Sequence, residues 1–185
     1  MSPDRDSEMS NIALSQLKRI PLRVRVAVYG AGFLALVLGI VPYLFYRLDN
    51  HFPAVHVDIG GLRIIGAILA VVGLVQYLRA ARVLVSHGDG GHVEFDPPTK
   101  FVVAGPYRYA RNPVAGYLLV CMLGLAIAFS STGIFIMFCL AALLAHVQVI
   151  RIEEPLLRKR YGQAFDEYCA RVPRWIPRWR PSRSR

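Results

Sequence analysis

The chain has 185 residues, enough for one domain, and 55% of them are hydrophobic, with 22 basic against 12 acidic residues and a formal charge of +10. Apolar and basic segments alternate along the chain instead of mixing, which points to a membrane protein with basic loops. It argues against a nucleic-acid module, which spreads its basic residues over a soluble fold. The cysteines, Cys121, Cys139 and Cys169, form no CxxC pair, so neither a disulfide framework nor a zinc site is expected. They read as small buried hydrophobes.

Residues 1–25 form a basic arm. Val26 to Tyr46 carries no charge and is long enough to cross a hydrocarbon core. Its long polar lead, and the lack of a small-residue cleavage site before Arg47, argue against a cleaved signal peptide. A second span runs from about Ile59 to Leu78, interrupted near its start by Arg63; residues 26–78 thus form two N-terminal membrane helices. Residues 79–185 supply a long loop, two more spans and a tail. His87, Asp89, His92 and Asp96 in the loop match no helix face or metal-loop spacing, so no metal centre is expected there, nor at His51, His56 and Asp58.

The third span runs from Pro113 to about Phe129 and is short for a full crossing; the fourth runs from about Gly133 to Ile150. Ser130-Ser131-Thr132 is too short for a soluble loop, so these two spans form a tight helical hairpin. The fold class is all-α: a polytopic membrane bundle of about four transmembrane helices and a C-terminal interfacial amphipathic helix. Four spans put both termini on one side. That side holds 20 basic residues and the other only Arg47 and Arg63, so the termini, the long loop and the tail are expected in the cytoplasm.

Three polar groupings gather on that side. The first is GPYRYARNP, residues 105–113. Gly105-Pro106 makes a turn, and Asn112-Pro113 reads as an N-cap and first helical position. The free amides and positive dipole end of a helix starting at Pro113 suit a carboxylate or phosphate, with Arg108 and Arg111 adding charge. Tyr107 and Tyr109 either stack on a planar group or serve as interface anchors. The second grouping is His146, Arg151, Glu153 and Glu154. Helical spacing places 146, 150, 153 and 154 along one side. Adjacent carboxylates at a membrane helix end are costly without partners; Arg151, the Arg108/Arg111 pair and a bound cation are the candidates. A structural ion pair and a functional site fit this pattern equally well.

The third grouping is the tail. Leu157, Tyr161, Phe165, Tyr168 and Val172 recur at steps of three or four and make an apolar stripe. Pro155 either kinks the chain or begins a new helix. The Pro-, Trp- and Arg-rich stretch from Pro173 to Trp179 reads as an interfacial strap able to cover a site. The helix start and the acidic pair belong to one hairpin, so their inner ends must be neighbours around a shared polar pocket.

GPYRYARNP, then the hairpin, then RIEEPLLRKRYGQAFDEYCARVPRWIP, resembles the isoprenylcysteine carboxyl methyltransferase family, part of a wider group of integral membrane methyltransferases that includes phospholipid methyltransferases. The similarity covers about residues 92–178. It implies S-adenosylmethionine as methyl donor in a cytoplasm-facing pocket. By position it assigns Tyr107 and Asn112, Pro113, Val114 and Ala115 to the donor-binding turn, and Thr99, Lys100, Phe101 and Val102 to a strip lining the nucleoside. Glu154 is assigned to the donor's amino end, and Arg151 to an arginine near the acceptor. The family pattern has His at Asn112, often Tyr at Ala115 and Gly at Tyr117, so the pocket is expected to differ in shape.

The implied reaction is direct methyl transfer to a lipidic or amphiphilic acceptor, with orientation and desolvation as the enzyme's main contribution. Arg151 would orient a carboxylate acceptor; Glu153 or His146 would serve as base for an amine. Membrane lipids are the expected partners, and nucleic acid is not. A non-catalytic adaptor or small transporter is the competing reading, though a transporter more often shows internal repeats or helices broken at mid-membrane depth.

Overall fold

The computed structural model describes residues 21–49, 51, 59–88 and 99–178. Residues 1–20 of the basic arm, His56, Asp58, Asp89, His92, Asp96 and Trp179 lie outside the described residues. Among those described, the chain is helical and without strands.

Helix α1 covers Leu22–Asp49, α2 Leu62–Gly88, α3 Pro113–Ala128 and α4 Thr132–Tyr161; α5 is the short Gln163–Arg171. The first, second and fourth are long and apolar enough to cross a membrane, and α3 is the shorter apolar helix that its 16 residues make it. Their outward side chains stay bare: Ile64, Val71, Leu143 and Leu144 are all exposed, the arrangement of a bundle that faces lipid. Cys139 is exposed on this surface as well, whereas Cys121 is buried, so the three cysteines do not share one environment. A sulfhydryl facing hydrocarbon has no burial to gain from the protein interior.

α1 contains a wider, π-type turn at Ala35–Ile40. It ends two residues before Pro42, whose ring cannot sit over the carbonyl one turn back, and the wide turn relieves that clash.

The bundle is built around α2 against α3. The buried face of α2 is Gly66, Ala70, Gly73, Tyr77, Ala80, Leu84 and Gly88, a stripe that is small along its outer half. Small residues let helix backbones approach closely where no water drives them together. A Cβ built on Gly124 of α3 would lie 2.3 Å from the Ala70 amide nitrogen, and one on Gly73 would lie 2.6 Å from that of Cys121. These positions are glycine because backbone occupies the space.

The α3–α4 hairpin turns as tightly as its sequence demands. Ser130 takes a positive φ of 49°, its amide reaches the Ile127 carbonyl, and the Ser131 amide reaches that of Ala126. This pairing satisfies the last carbonyls of α3. Ser131 then caps α4, its Oγ accepting from the Ile134 amide. Asp49, at the end of α1, is buried and accepts from both Ser131 Oγ and, at 2.8 Å, the Gly133 amide. Arg63, the charge that interrupts the second span, donates to Ser130 Oγ. One polar cluster thus ties α1 and α2 to the hairpin turn.

Candidate active site

At the other end of the hairpin, Gly105–Arg108 forms a single 3₁₀ turn and Asn112 precedes Pro113, the first residue of α3. The Asn112 side chain does not cap the helix. Its Nδ2 is buried and without a partner, as is Nε of Arg111. Two donors therefore stand unpaired beside an uncapped helix start, where the peptide dipoles favour negative charge.

α4 approaches the same place through a second π-type turn, Val149–Glu153. Ordinary helical spacing predicts 146, 150, 153 and 154 on one side. The wide turn changes that register: the buried residues are Val149 and Glu154, five apart, while His146 and Arg151 are exposed and Glu153 is half-buried. Gln148 donates to Glu153, also five residues on, as a π-type turn allows.

Glu154 is 8% exposed and held by two arginines. Arg174 donates to both of its oxygens, at 2.7 and 2.9 Å, and Arg111 lies 3.0 Å away. The bidentate fork is the strong geometry for a guanidinium on a carboxylate, and Glu154 holds the Arg174 guanidinium above its ordinary pKa. Of the partners anticipated for Glu154, Arg111 is present. Arg151 is not among its contacts, and Arg174 comes instead from the tail.

The tail strap delivers Arg174. The Arg111 amide donates to the Pro173 carbonyl, the Asn112 amide to that of Arg174, and the Arg178 amide to that of Tyr109. Trp175 Nε1 sits 3.1 Å from His146 Nδ1. The strap thus lies along residues 109–112, directly over the start of α3.

Beneath it, the apolar stripe of the tail faces the protein. Phe165, Tyr168 and Val172 are buried against Phe101, Val103, Leu157 and Tyr161. The stripe is not one helix: Gly162, at φ 52°, ends α4 before α5 begins, a backbone angle that glycine adopts without strain. Phe101 meets the Tyr168 ring edge-on, with centroids 5.3 Å apart. Tyr168 donates to the Tyr107 carbonyl at 2.6 Å, and Tyr107 packs with Leu84 and Val102. Burial raises the pKa of both phenols, so both are neutral. Thr99 and Lys100 are exposed, and their amides reach the Gly88 carbonyl at the end of α2. Pro113 is buried, and Val114 and Ala115 are half-buried in the first turn of α3.

The structure therefore brings together Tyr107, Asn112, Pro113, Glu154 and the strip from Phe101 to Val102, with Leu84 of α2 packed against Tyr107 and Val102. The profile of the phospholipid methyltransferase family matches residues 62–164, more than half of the chain. The protein belongs to the phospholipid methyltransferase family. The match runs from α2 through the hairpin into α5 and contains Arg111, Asn112 and Glu154; Arg174 lies beyond it. The family is one of integral membrane methyltransferases. Over 80 residues the chain is also 34% identical to the nickel-cobalt-cadmium resistance protein NccN of Alcaligenes xylosoxydans xylosoxydans. That stretch is 43% of this chain and 37% of the relative, so the two share only part of their lengths. Among the described residues no cluster of His, Cys, Asp and Glu is disposed to hold a metal ion.

Residue spacing alone does not mark Arg174 as a site residue. The available signal was chemical: a carboxylate at a membrane helix end needs cations, and Arg174 stands between two prolines in the segment free to fold back.

Proposed function

We propose that this protein is an integral membrane methyltransferase that uses S-adenosylmethionine and acts on a lipidic acceptor, by carboxyl O-methylation or amine N-methylation. The observation that carries the reading is the meeting of Arg111, Asn112 and Glu154 at one mouth of the hairpin, inside the segment that matches the family. When bound, the donor supplies a methyl group made electrophilic by its sulfonium.

The residues present fit the amino-acid end of such a donor. Asn112 Nδ2 and Arg111 Nε are buried donors in need of an acceptor oxygen, and a carboxylate at the α3 start provides one. Glu154 is the acceptor for the ammonium group, and Arg174 is the partner that yields to it. Its side chain is 29% exposed against 14% for Arg111, so it can turn into water at lower cost. Opening the strap is thus part of donor binding on this reading, and the strap closes afterward to exclude water. Phe101, Val102 and Tyr107, with Thr99 and Lys100 at the rim, form the nucleoside wall; Pro113, Val114 and Ala115 shape the first turn.

Arg151, exposed just before Glu154, orients a carboxylate acceptor. For an amine, Glu153 or His146 accepts the proton, and His146 must first part from Trp175. The excess of basic residues at this end of the helices supports a mouth that faces the cytoplasm. Membranes containing the protein, given donor with a tritiated methyl group, are expected to yield labelled lipid. Unlabelled extracts together with no calorimetric binding of S-adenosylmethionine to the purified protein would overturn the proposal.

A further inference from the structure

A cavity of about 590 Å³ lies between α1 and α2, lined by neither Asn112 nor Glu154. Its walls are Ala27, Gly30 and Ala31 on one side and Tyr77, Leu78 and Ala81 on the other. A Cβ added at Gly30 would meet nothing within 4 Å, so the gap there is open. The polar lining gathers at one end: Arg23 from the first turn of α1, and Arg82 and Ser86 from the last turns of α2. Among the described residues no acidic side chain lines it.

Two dimensions identify the occupant. From Arg23 to Leu34 the groove follows α1 for roughly 16 Å at 1.5 Å per residue. That is about half of a 30 Å hydrocarbon core, the depth of one leaflet. The cationic end coincides with the end of the bundle that carries the basic loops. A groove that is apolar for one leaflet and then cationic matches a lipid whose head group is a net anion. A zwitterionic head group brings its own cation against Arg23 and Arg82 and gains less.

We propose that this groove holds one anionic phospholipid from the leaflet on the basic side, with an acyl chain between α1 and α2 and its phosphate between Arg23 and Arg82. The lipid so held is a resident ligand and not a methyl acceptor, and phosphatidylglycerol, an anion with neither amine nor carboxylate, is the probe that separates the two roles. The site is independent of the donor reading.

Native mass spectrometry of the full chain in detergent, titrated with dioleoyl phosphatidylglycerol or dioleoyl phosphatidylcholine, tests it. At about 1 kcal/mol per arginine, the first lipid is expected to bind roughly 30-fold tighter than the second, as a single adduct. Arg23→Gln with Arg82→Gln should bring the two lipids to parity. Gly30→Leu, which keeps both arginines but fills the groove, should remove the adduct. Lys159→Gln with Arg160→Gln, removing two charges elsewhere, should leave the preference intact. Equal binding of both lipids by the wild type, a preference that survives loss of Arg23 and Arg82, or one lost equally in the Lys159/Arg160 variant would overturn the proposal.

Discussion

Replacing Glu154 by Gln keeps the side chain's shape and removes its charge from three contacts, at 2.7, 2.9 and 3.0 Å. Hydrogen bonds to charged groups contribute about 1.5–3 kcal/mol each, and breaking a buried pair costs about 3–5 kcal/mol. The loss here falls toward the lower end, because Arg174, 29% exposed, recovers solvation by turning outward while Arg111, 14% exposed, does not. The expected destabilisation is about 3 kcal/mol, a fall in Tm of roughly 6–12 °C for a chain of this size. Thermal unfolding in detergent reads it, and Trp175, lying over His146, reports the strap. Stability alone does not separate a structural ion pair from a donor site, so the decisive comparison is with Arg174→Gln. If Arg174 competes with the donor's ammonium for Glu154, removing it tightens donor binding by up to about fivefold, the value of a partly exposed pair, while Glu154→Gln abolishes binding. Calorimetric titration with S-adenosylmethionine measures both. Should Arg174→Gln weaken binding as severely as Glu154→Gln, Arg174 is a donor ligand and not a competitor, and the reasoning about the strap fails.

Gly124→Val places atoms where the Ala70 backbone stands and is expected to cost at least about 3 kcal/mol, seen as a large drop in Tm or loss of folded protein on size exclusion. Asp49→Ala removes the acceptor shared by Ser131 and the Gly133 amide and is expected to cost about 1–2 kcal/mol in the same assay, with Asp49→Asn recovering part of it. Tyr168→Phe leaves the Tyr107 carbonyl without its donor and should lower stability by about 1–3 kcal/mol. The two buried phenols also set an alkaline limit. Their folded pKa values lie above the unfolded value, so their contribution is complete below about pH 10 and is lost as pH rises beyond it. Tm should therefore fall above about pH 10, with phenolate absorbance at Tyr107 and Tyr168 appearing only on unfolding.

Much of this architecture is legible because a membrane leaves few choices. Uncharged runs of sufficient length must be helices, and a break of three residues at Ser130 must be a hairpin. The same reasoning put the start of α3 beside the end of α4, where Arg111 does meet Glu154. What the sequence hid depends on register and on chain reversal. Ordinary helical spacing joins His146 to Glu154, whereas the π-type turn at Val149–Glu153 leaves His146 and Arg151 exposed and turns Glu154 inward with Val149. Nor does spacing reveal that a tail 20 residues downstream returns over α3, because the hydrogen bonds that hold it are made by backbone amides of Arg111 and Asn112. Any sequence offers such amides.

The strap also explains why a helix start so suited to an anion carries unpaired donors at all. Carbonyls of Pro173 and Arg174 take the amides of Arg111 and Asn112, yet leave Asn112 Nδ2 and Arg111 Nε buried and unmatched. A buried donor without a partner costs about 1–3 kcal/mol, and a fold selected for stability alone has an easy remedy in a side-chain acceptor from the strap. The strap instead contributes a second cation, Arg174, to a place already holding Arg111. Closed in this way, the mouth holds Glu154 in one strong pair and keeps two donors unused; on the proposed function, exchanging Arg174 for a ligand that bears both an ammonium and a carboxylate would give Glu154 and both donors a partner.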